Sequence, residues 1–176
     1  SVLVTAALFL FFTTSRDFFI KKFNNLSQNI AHFGFSLLIL SILFNSFFST
    51  EIISNLKIGE TIESKNIKIN FENILKKNEK NFVNIIGKFK IENSNGKVET
   101  LKPQLRIYNQ PNIVTSEADI KTSLLTDKFM TMNLVQNQEY FNIRYQTKPF
   151  MMWIWVSVMI ISFAGLISFF KKRYEN

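Results

Sequence analysis

The sequence predicts an integral membrane α-helical protein with an extracytoplasmic, mostly antiparallel β domain, a small sheet or partial barrel, inserted between two transmembrane helices. Two apolar runs at residues 30–48 and 150–170 carry no formal charge, and the long polar segment between them contains stretches in which apolar and polar residues alternate. Runs of this length match the hydrocarbon thickness of a bilayer. Alternation is typical of strands with one buried face.

The chain opens with the apolar run SVLVTAALFLFF, which is too short to span a bilayer comfortably. We therefore interpret residues 1–14 as the end of a truncated transmembrane helix, with an interfacial or core helix as the alternative. Residues 15–29 are predicted to form a cytoplasmic basic loop, since Arg16, Lys21 and Lys22 outnumber the single acid there. Short loops rich in Lys and Arg tend to stay on the cytoplasmic side.

Residues 30–48 are then a transmembrane helix running outward, and residues 49–148 a β domain on the periplasmic or intermembrane side. Alternation predicts strands at 66–71 and 83–91, and Asn95-Gly96 predicts a tight hairpin turn into a strand at 98–101. Further strands are expected at 105–108, 128–134 and 141–145. The run from Ser116 to Asp119 predicts a helix cap before a short helical turn.

A second span at residues 149–170 and a basic cytoplasmic tail at 171–176 complete the predicted topology. Pro149 suits the first turn of a helix, and the two tryptophans near the outer end suit the headgroup layer. The small residues Ser157, Ala164, Gly165 and Ser168 recur at helical spacing. Such a stripe predicts close packing against another helix.

Composition excludes several classes of function. The net charge is +8, but the cations are scattered through strands and membrane flanks, which argues against nucleic-acid binding. The chain has no cysteine, so disulfides, thiolate metal sites and cysteine nucleophiles are excluded. We find no carboxylate pair, glycine-rich phosphate loop or nucleophilic serine at a telling spacing, and the catalytic residues stay unknown.

His32, the chain's only histidine, is the one candidate site residue. An ionisable residue inside a span is costly and tends to face a bundle interior, so it points to function. Ala31 and Gly34 leave room beside it, with Ser36 one turn on, and a flat porphyrin could lie there and take an axial nitrogen. A neutral histidine bonded to a carbonyl or a partner helix is the alternative, and the residues alone leave both open.

Three motifs together resemble one family. NIAHFGFS at Asn29–Ser36 heads the first span, TSEADI occupies Thr115–Ile120, and YQTKPFMMWIW occupies Tyr145–Trp155, followed by a closing KKRY. In this order they are similar to the C-terminal part of the CcmF cytochrome c haem lyase (cytochrome c-type biogenesis protein) family. The resemblance extends from about Arg16 to Tyr174.

The resemblance implies a role in cytochrome c maturation. Members receive haem from the chaperone CcmE and, with CcmH-type partners that hold apocytochrome c, promote thioether bonds to its Cys-x-x-Cys-His motif. They also carry haem b between two membrane histidines, and His32 matches one of those positions, which implies that it is an axial ligand of the haem iron. The implied location is the bacterial inner membrane, as a multi-pass protein, or the mitochondrial inner membrane if the gene is organellar.

This sequence departs from the family pattern in three places. It lacks both the family's tryptophan-rich haem-binding signature and a second histidine, which we expect from a missing N-terminal part or a companion subunit. Met152 also stands where an arginine is expected. The piece alone is therefore not expected to be active. The alternative function is a non-enzymatic membrane assembly or interaction protein in which His32 joins helices, and haem content distinguishes the two.

Overall fold

The computed structural model describes residues 2–20, 26–64, 66–135 and 139–175. In that part of the chain two helices precede a set of strands and a third helix follows them. The helices are α1 (Val2–Ile20), α2 (Leu26–Phe48) and α3 (Met151–Glu175). The strands are β1 (Thr50–Leu56), β2 (Thr61–Ser64), β3 (Ile67–Asn78), β4 (Phe82–Asn93), β5 (Val98–Leu101), β6 (Gln104–Tyr108), β7 (Val114–Glu117), β8 (Asp119–Lys121), β9 (Thr126–Leu134) and β10 (Phe141–Pro149).

The chain divides into two compact units. A helical unit contains Ser1–Ser49, Thr122–Asp127 and Lys148–Asn176, and a β unit contains Thr50–Lys121 and Lys128–Thr147. The predicted fold class is confirmed, since a mostly antiparallel β domain lies in sequence between two long apolar helices. The β domain is a two-layer sandwich.

All three helices are long and apolar enough to cross a membrane. α1 continues to Ile20, past the predicted end at residue 14, and the Thr13, Thr14 and Ser15 hydroxyls within it donate to carbonyls one turn back. Such bonds let short polar side chains remain inside a helix. Lys21 and Lys22 of the predicted loop lie outside the described residues, as do the side chains of the basic tail at 171–173.

α2 begins at Leu26, earlier than predicted, and α3 begins at Met151 rather than at Pro149. Pro149 ends β10 instead, and Phe150 follows with a φ of 59°, in the left-handed region. That conformation separates strand from helix, so the proline does not occupy the helix's first turn. The prediction for Pro149 was wrong because local preference competed with pairing along β10.

The β unit consists of two sheets whose inner faces share one core. The four-stranded sheet has the order β1-β10-β9-β8, and the six-stranded sheet has the order β2-β3-β4-β6-β7, with β5 also paired to β4. Phe71 and Phe89 stack at 4.2 Å between ring centroids near its middle. The buried core residues come from both sheets: Ile52, Leu56, Ile69, Phe71, Phe89, Ile91, Leu101, Leu105, Met130, Met132, Ile143 and Tyr145.

The alternation predicted these strands correctly, and the Asn95-Gly96 hairpin is present between β4 and β5, with Gly96 at a φ of 70°. The helical turn after Ser116 was wrong, because that residue lies in β7 opposite Leu105 of β6. Its hydroxyl donates to the Met132 carbonyl at 2.7 Å instead of capping a helix. Tertiary pairing here overrides the local preference of a serine for helix starts.

Candidate functional site

His32 lies on an exposed stripe of α2. The exposed residues Gln28, His32, Phe35, Ile42 and Ser46 follow one another at steps of three, four or seven residues along the helix. These steps keep side chains on one helical face. No described residue forms a hydrogen bond with the His32 imidazole, so its ring nitrogens have no partner on this exposed face.

Helix packing covers α2 both on the far side from His32 and directly beside it. Gly34 is buried, and a Cβ placed on it would lie 2.9 Å from atoms of both Ile160 and Ile161 of α3. Ser36 is buried against α1, where its hydroxyl lies 2.8 Å from that of Thr14 and also donates to the Phe33 carbonyl. The predicted space beside His32 for a flat porphyrin is therefore filled at Gly34 and Ser36.

The small-residue stripe of α3 takes part in this packing in its buried half. Ser157 and Ala164 are fully buried, and Ser27 of α2 donates a hydrogen bond to the Ala164 carbonyl at 2.7 Å. Gly165 and Ser168 face outward, and a Cβ on Gly165 would meet no described atom within 4 Å. The packing prediction thus holds for one side of the stripe.

The Lys-Pro-Phe-Met-Met-Trp motif forms a corner at the start of α3. The Pro149 carbonyl accepts a hydrogen bond from Asn45 Nδ2 at 2.7 Å, and the Phe150 ring lies 5.1 Å from that of Phe44. Trp153 Nε1 donates to the Leu124 carbonyl at 2.9 Å. The motif therefore joins α2, α3 and the loop at residues 122–127, and Asn45, which no sequence motif singled out, is one of its anchors.

The Thr115–Ile120 motif performs a structural task in the β unit. Glu117 pairs with Arg106 at 2.6 Å, and Asp119 Oδ2 accepts a hydrogen bond from the Lys102 backbone N–H at 2.6 Å. These contacts hold β7 and β8 to the neighbouring strands. In this structure the polar side chains of the motif therefore stabilise the β unit.

A mostly buried cluster of charged and polar side chains lies on β5, β9 and β10. No sequence pattern indicated it. The Lys128 ammonium donates to Glu99 at 2.7 Å, with only 16% and 13% of the two side chains exposed. That hydrogen bond holds the pKa of Glu99 below its usual range, with Lys97 adding to the effect. Burial, with the charge of Glu99, raises the pKa of Tyr145 to about 12. No described residue bonds the Tyr145 hydroxyl.

The described residues contain no group of three His, Cys, Asp or Glu side chains able to hold a metal ion. His32 is the only histidine of the chain.

Comparisons with known proteins agree on one family. Residues 47–149, more than half of the chain, match the family model described as the CcmF C-terminal beta-sandwich. The chain is 27% identical over 169 residues to the cytochrome c-type biogenesis protein CcmF of Haemophilus influenzae, covering 92% of this chain and 26% of that protein. It is 25% identical over 147 residues to CcmF of Escherichia coli, covering 83% and 23%.

Among solved structures, the chain is similar to one titled cytochrome c heme lyase CcmF, with a TM-score of 0.72 and 17% identity. The match covers 94% of this chain and 30% of that one, and at this identity it shows the fold. The chain thus spans about a quarter of the length of the curated relatives it matches. Its apolar helices indicate a membrane protein, and the match over the sandwich shows that the chain belongs to the CcmF family.

Proposed function

We propose that this chain works as the C-terminal part of a cytochrome c haem lyase and that His32 is one axial ligand of a membrane-embedded haem b. The observation that carries the proposal is the exposure of His32 on the face of α2 away from Gly34. An imidazole facing hydrocarbon without a partner is costly. A haem iron bound on this face would supply that partner.

The residues around His32 fit one half of such a site. Phe35 and Ile42 are 54% and 48% exposed on the same stripe, and they would give the porphyrin an apolar wall. Haem would supply one-electron redox chemistry, which in this family serves to reduce the incoming haem iron. His32 would hold and orient the ring, and the second ligand would come from a part of the protein outside this chain, since His32 is its only histidine.

We further propose the topology that the basic segments indicate. Residues 15–29 and 171–176 would lie on the cytoplasmic side, and residues 49–148 would lie outside, in a bacterial inner membrane or its mitochondrial equivalent. This arrangement places His32 in the inner half of its span. A haem there would be within reach of electrons from the membrane.

The proposed partners follow from family membership. The complete protein would receive haem from a chaperone of the CcmE type and apocytochrome c from CcmH-type partners. The β unit would then lie near the place of haem attachment. No catalytic residue is proposed for this chain.

A reduced-minus-oxidised visible spectrum of the complete membrane complex tests the ligand assignment. We expect a b-type α band in the native complex that is lost or strongly shifted in His32→Ala at equal protein. Gln28→Ala, one turn earlier on the same exposed stripe, is the matched control and should leave the band unchanged. In His32→Gly, added imidazole should restore the band, because the free ligand fills the vacated position.

Equal spectra in the native protein and His32→Ala would refute ligation by His32. Failure of any haem to copurify would leave the non-enzymatic assembly function, with the histidine contacting another helix. In that case His32→Ala would lower the yield of assembled complex without any spectral change.

A further inference from the structure

We propose that residues 122–127 form a membrane anchor whose tip, Leu124 and Leu125, inserts among the acyl chains just below the phospholipid phosphates, at the face where α3 begins. The loop joins β8 to β9, yet it belongs to the helical unit. Both leucines are exposed, at 65% and 58% of their surface. The inference concerns a contact with lipid and does not depend on haem binding by His32.

The loop is fixed to the first turn of α3 through its backbone. The Phe150 N–H donates to the Leu125 carbonyl at 2.7 Å, and Trp153 Nε1 donates to the Leu124 carbonyl at 2.9 Å. These two bonds occupy the carbonyls at the tip while leaving both leucine side chains exposed. The loop therefore presents its side chains at a set depth along the helix.

Ser123 and Thr126 form further hydrogen bonds across the base of the loop, whereas the buried Asp127 Oδ1 has no described partner. Ser123 Oγ donates to the Thr126 carbonyl at 2.6 Å, and the Thr126 N–H lies 3.1 Å from the same hydroxyl. The Ser123 N–H donates to the Thr126 carbonyl at 3.2 Å. Each of these bonds lowers the cost of placing the loop near hydrocarbon, which offers no hydrogen-bond partners.

The depth of the tip matches the level where two spans end. Asn45 and Phe44, in the last turns of α2, contact Pro149 and Phe150 at the start of α3. The carbonyls of Leu124 and Leu125 accept hydrogen bonds from Trp153 and Phe150 at this same end of α3. A tryptophan with an apolar ring and one bonded N–H, such as Trp153, is typical of the headgroup boundary.

The surroundings of the tip fit a phospholipid. Met152 and Trp155, at 40% and 63% exposure, lie in the first turns of α3 on either side of Trp153, so this end of the helix also exposes apolar surface that suits lipid. Lys121 immediately precedes the loop and Lys148 lies near the start of α3. Lysines beside an apolar tip suit the phosphate layer.

Depth-dependent quenching tests the anchor in the complete protein. A cysteine-free form, to which this chain contributes no native cysteine, would carry Leu124→Cys or Leu125→Cys labelled with bimane in nanodiscs of phosphatidylcholine and phosphatidylglycerol. Val98→Cys, at an exposed valine of the β4–β5 hairpin, is the matched control. Thermal midpoints confirm that each variant is folded.

We expect lipid nitroxides at the fifth acyl carbon to quench both loop labels several-fold more than nitroxides at the sixteenth carbon. The Val98→Cys label should respond only to aqueous iodide. Strong iodide quenching of the loop labels without lipid quenching would place the loop in water and overturn the proposal. Resistance of the loop labels to both quenchers would show that another protein segment covers the tip, which also overturns it.

Discussion

The close approach of α2 and α3 at Gly34 gives a quantitative prediction. A Cβ added there would lie 2.9 Å from Ile160 Cγ2 and 2.9 Å from Ile161 Cγ1, whereas carbon atoms in ordinary contact are about 3.5–4.0 Å apart. Overpacking of this kind costs about 1–3 kcal/mol. Replacing a helical glycine by alanine also gains about 1 kcal/mol of helix propensity.

Gly165→Ala is the matched control, because it has the same propensity gain and no described atom within 4 Å of the new Cβ. The propensity terms cancel when the two variants are compared. Gly34→Ala should therefore be less stable than Gly165→Ala by about 1–3 kcal/mol, the overpacking term alone. The free energy of unfolding of the complete protein in mixed micelles, measured by denaturing-detergent titration, gives this difference.

A double variant identifies the contact responsible. Adding Ile160→Ala removes Cγ2, one of the two atoms nearest the new Cβ. Gly34→Ala with Ile160→Ala should then cost less than the sum of the single variants, since residues in contact couple. Equal stability of Gly34→Ala and Gly165→Ala, together with additive behaviour of the double variant, would refute the packing described for α2 and α3.

Two further predictions concern the charged cluster of the β unit. Glu99→Gln should lower the free energy of unfolding by about 1–3 kcal/mol at neutral pH, because the mostly buried Lys128 loses its charged partner. Glu63→Gln is the control: Glu63 pairs with Lys68 at an exposed position, and its loss should cost less than about 1 kcal/mol. The pKa of Glu99 is lower in the folded protein than in the unfolded chain. Its contribution to stability is therefore present above the unfolded pKa and is lost as the pH falls. Between about pH 5 and 3, the urea midpoint of Glu99→Gln should fall less steeply than that of the native protein. Tyr145→Phe should keep or raise the urea midpoint, since it removes a buried hydroxyl without a described partner. The native protein should lose stability as the pH rises from the ordinary tyrosine pKa of about 10 to the folded value of about 12, and the phenylalanine variant should not show this loss. A midpoint well below the native one in Tyr145→Phe would show that the hydroxyl has a partner.

Periodicity predicted the elements of this fold better than their connections. The apolar runs located α2 and α3, and the alternation of Ile69 and Phe71 located β3 with its buried face. The pairing of β1 with β10 brings Thr50 opposite Thr147, and no local pattern indicates a contact so distant in sequence. The same limit explains the wrong helical turn at Ser116, which is held in β7 by strands on either side.

The sequence alone could not predict the exposure of His32, because large apolar residues occur on every face of α2. Hydrophobicity identified the span but gave no indication of which faces α1 and α3 would cover. The space expected beside the histidine depended on small residues at Gly34 and Ser36, and those residues bring helices together instead. Small residues in a span are ambiguous in this respect, since they leave room that either a ligand or a neighbouring helix can fill.

The run His32-Phe33-Gly34 shows why so short a motif can carry family resemblance. Successive residues of an α-helix are about 100° apart, so three in a row point in three directions. His32 faces outward, the Phe33 ring lies 5.8 Å from that of Phe11 and also contacts Phe18 in α1, and Gly34 admits α3. A histidine at the next position would replace Phe33 and face α1 instead of the exposed side. Outward presentation of the imidazole and assembly of the three helices therefore depend on one register of α2, which is the arrangement expected if the exposed face of that helix holds a ligand.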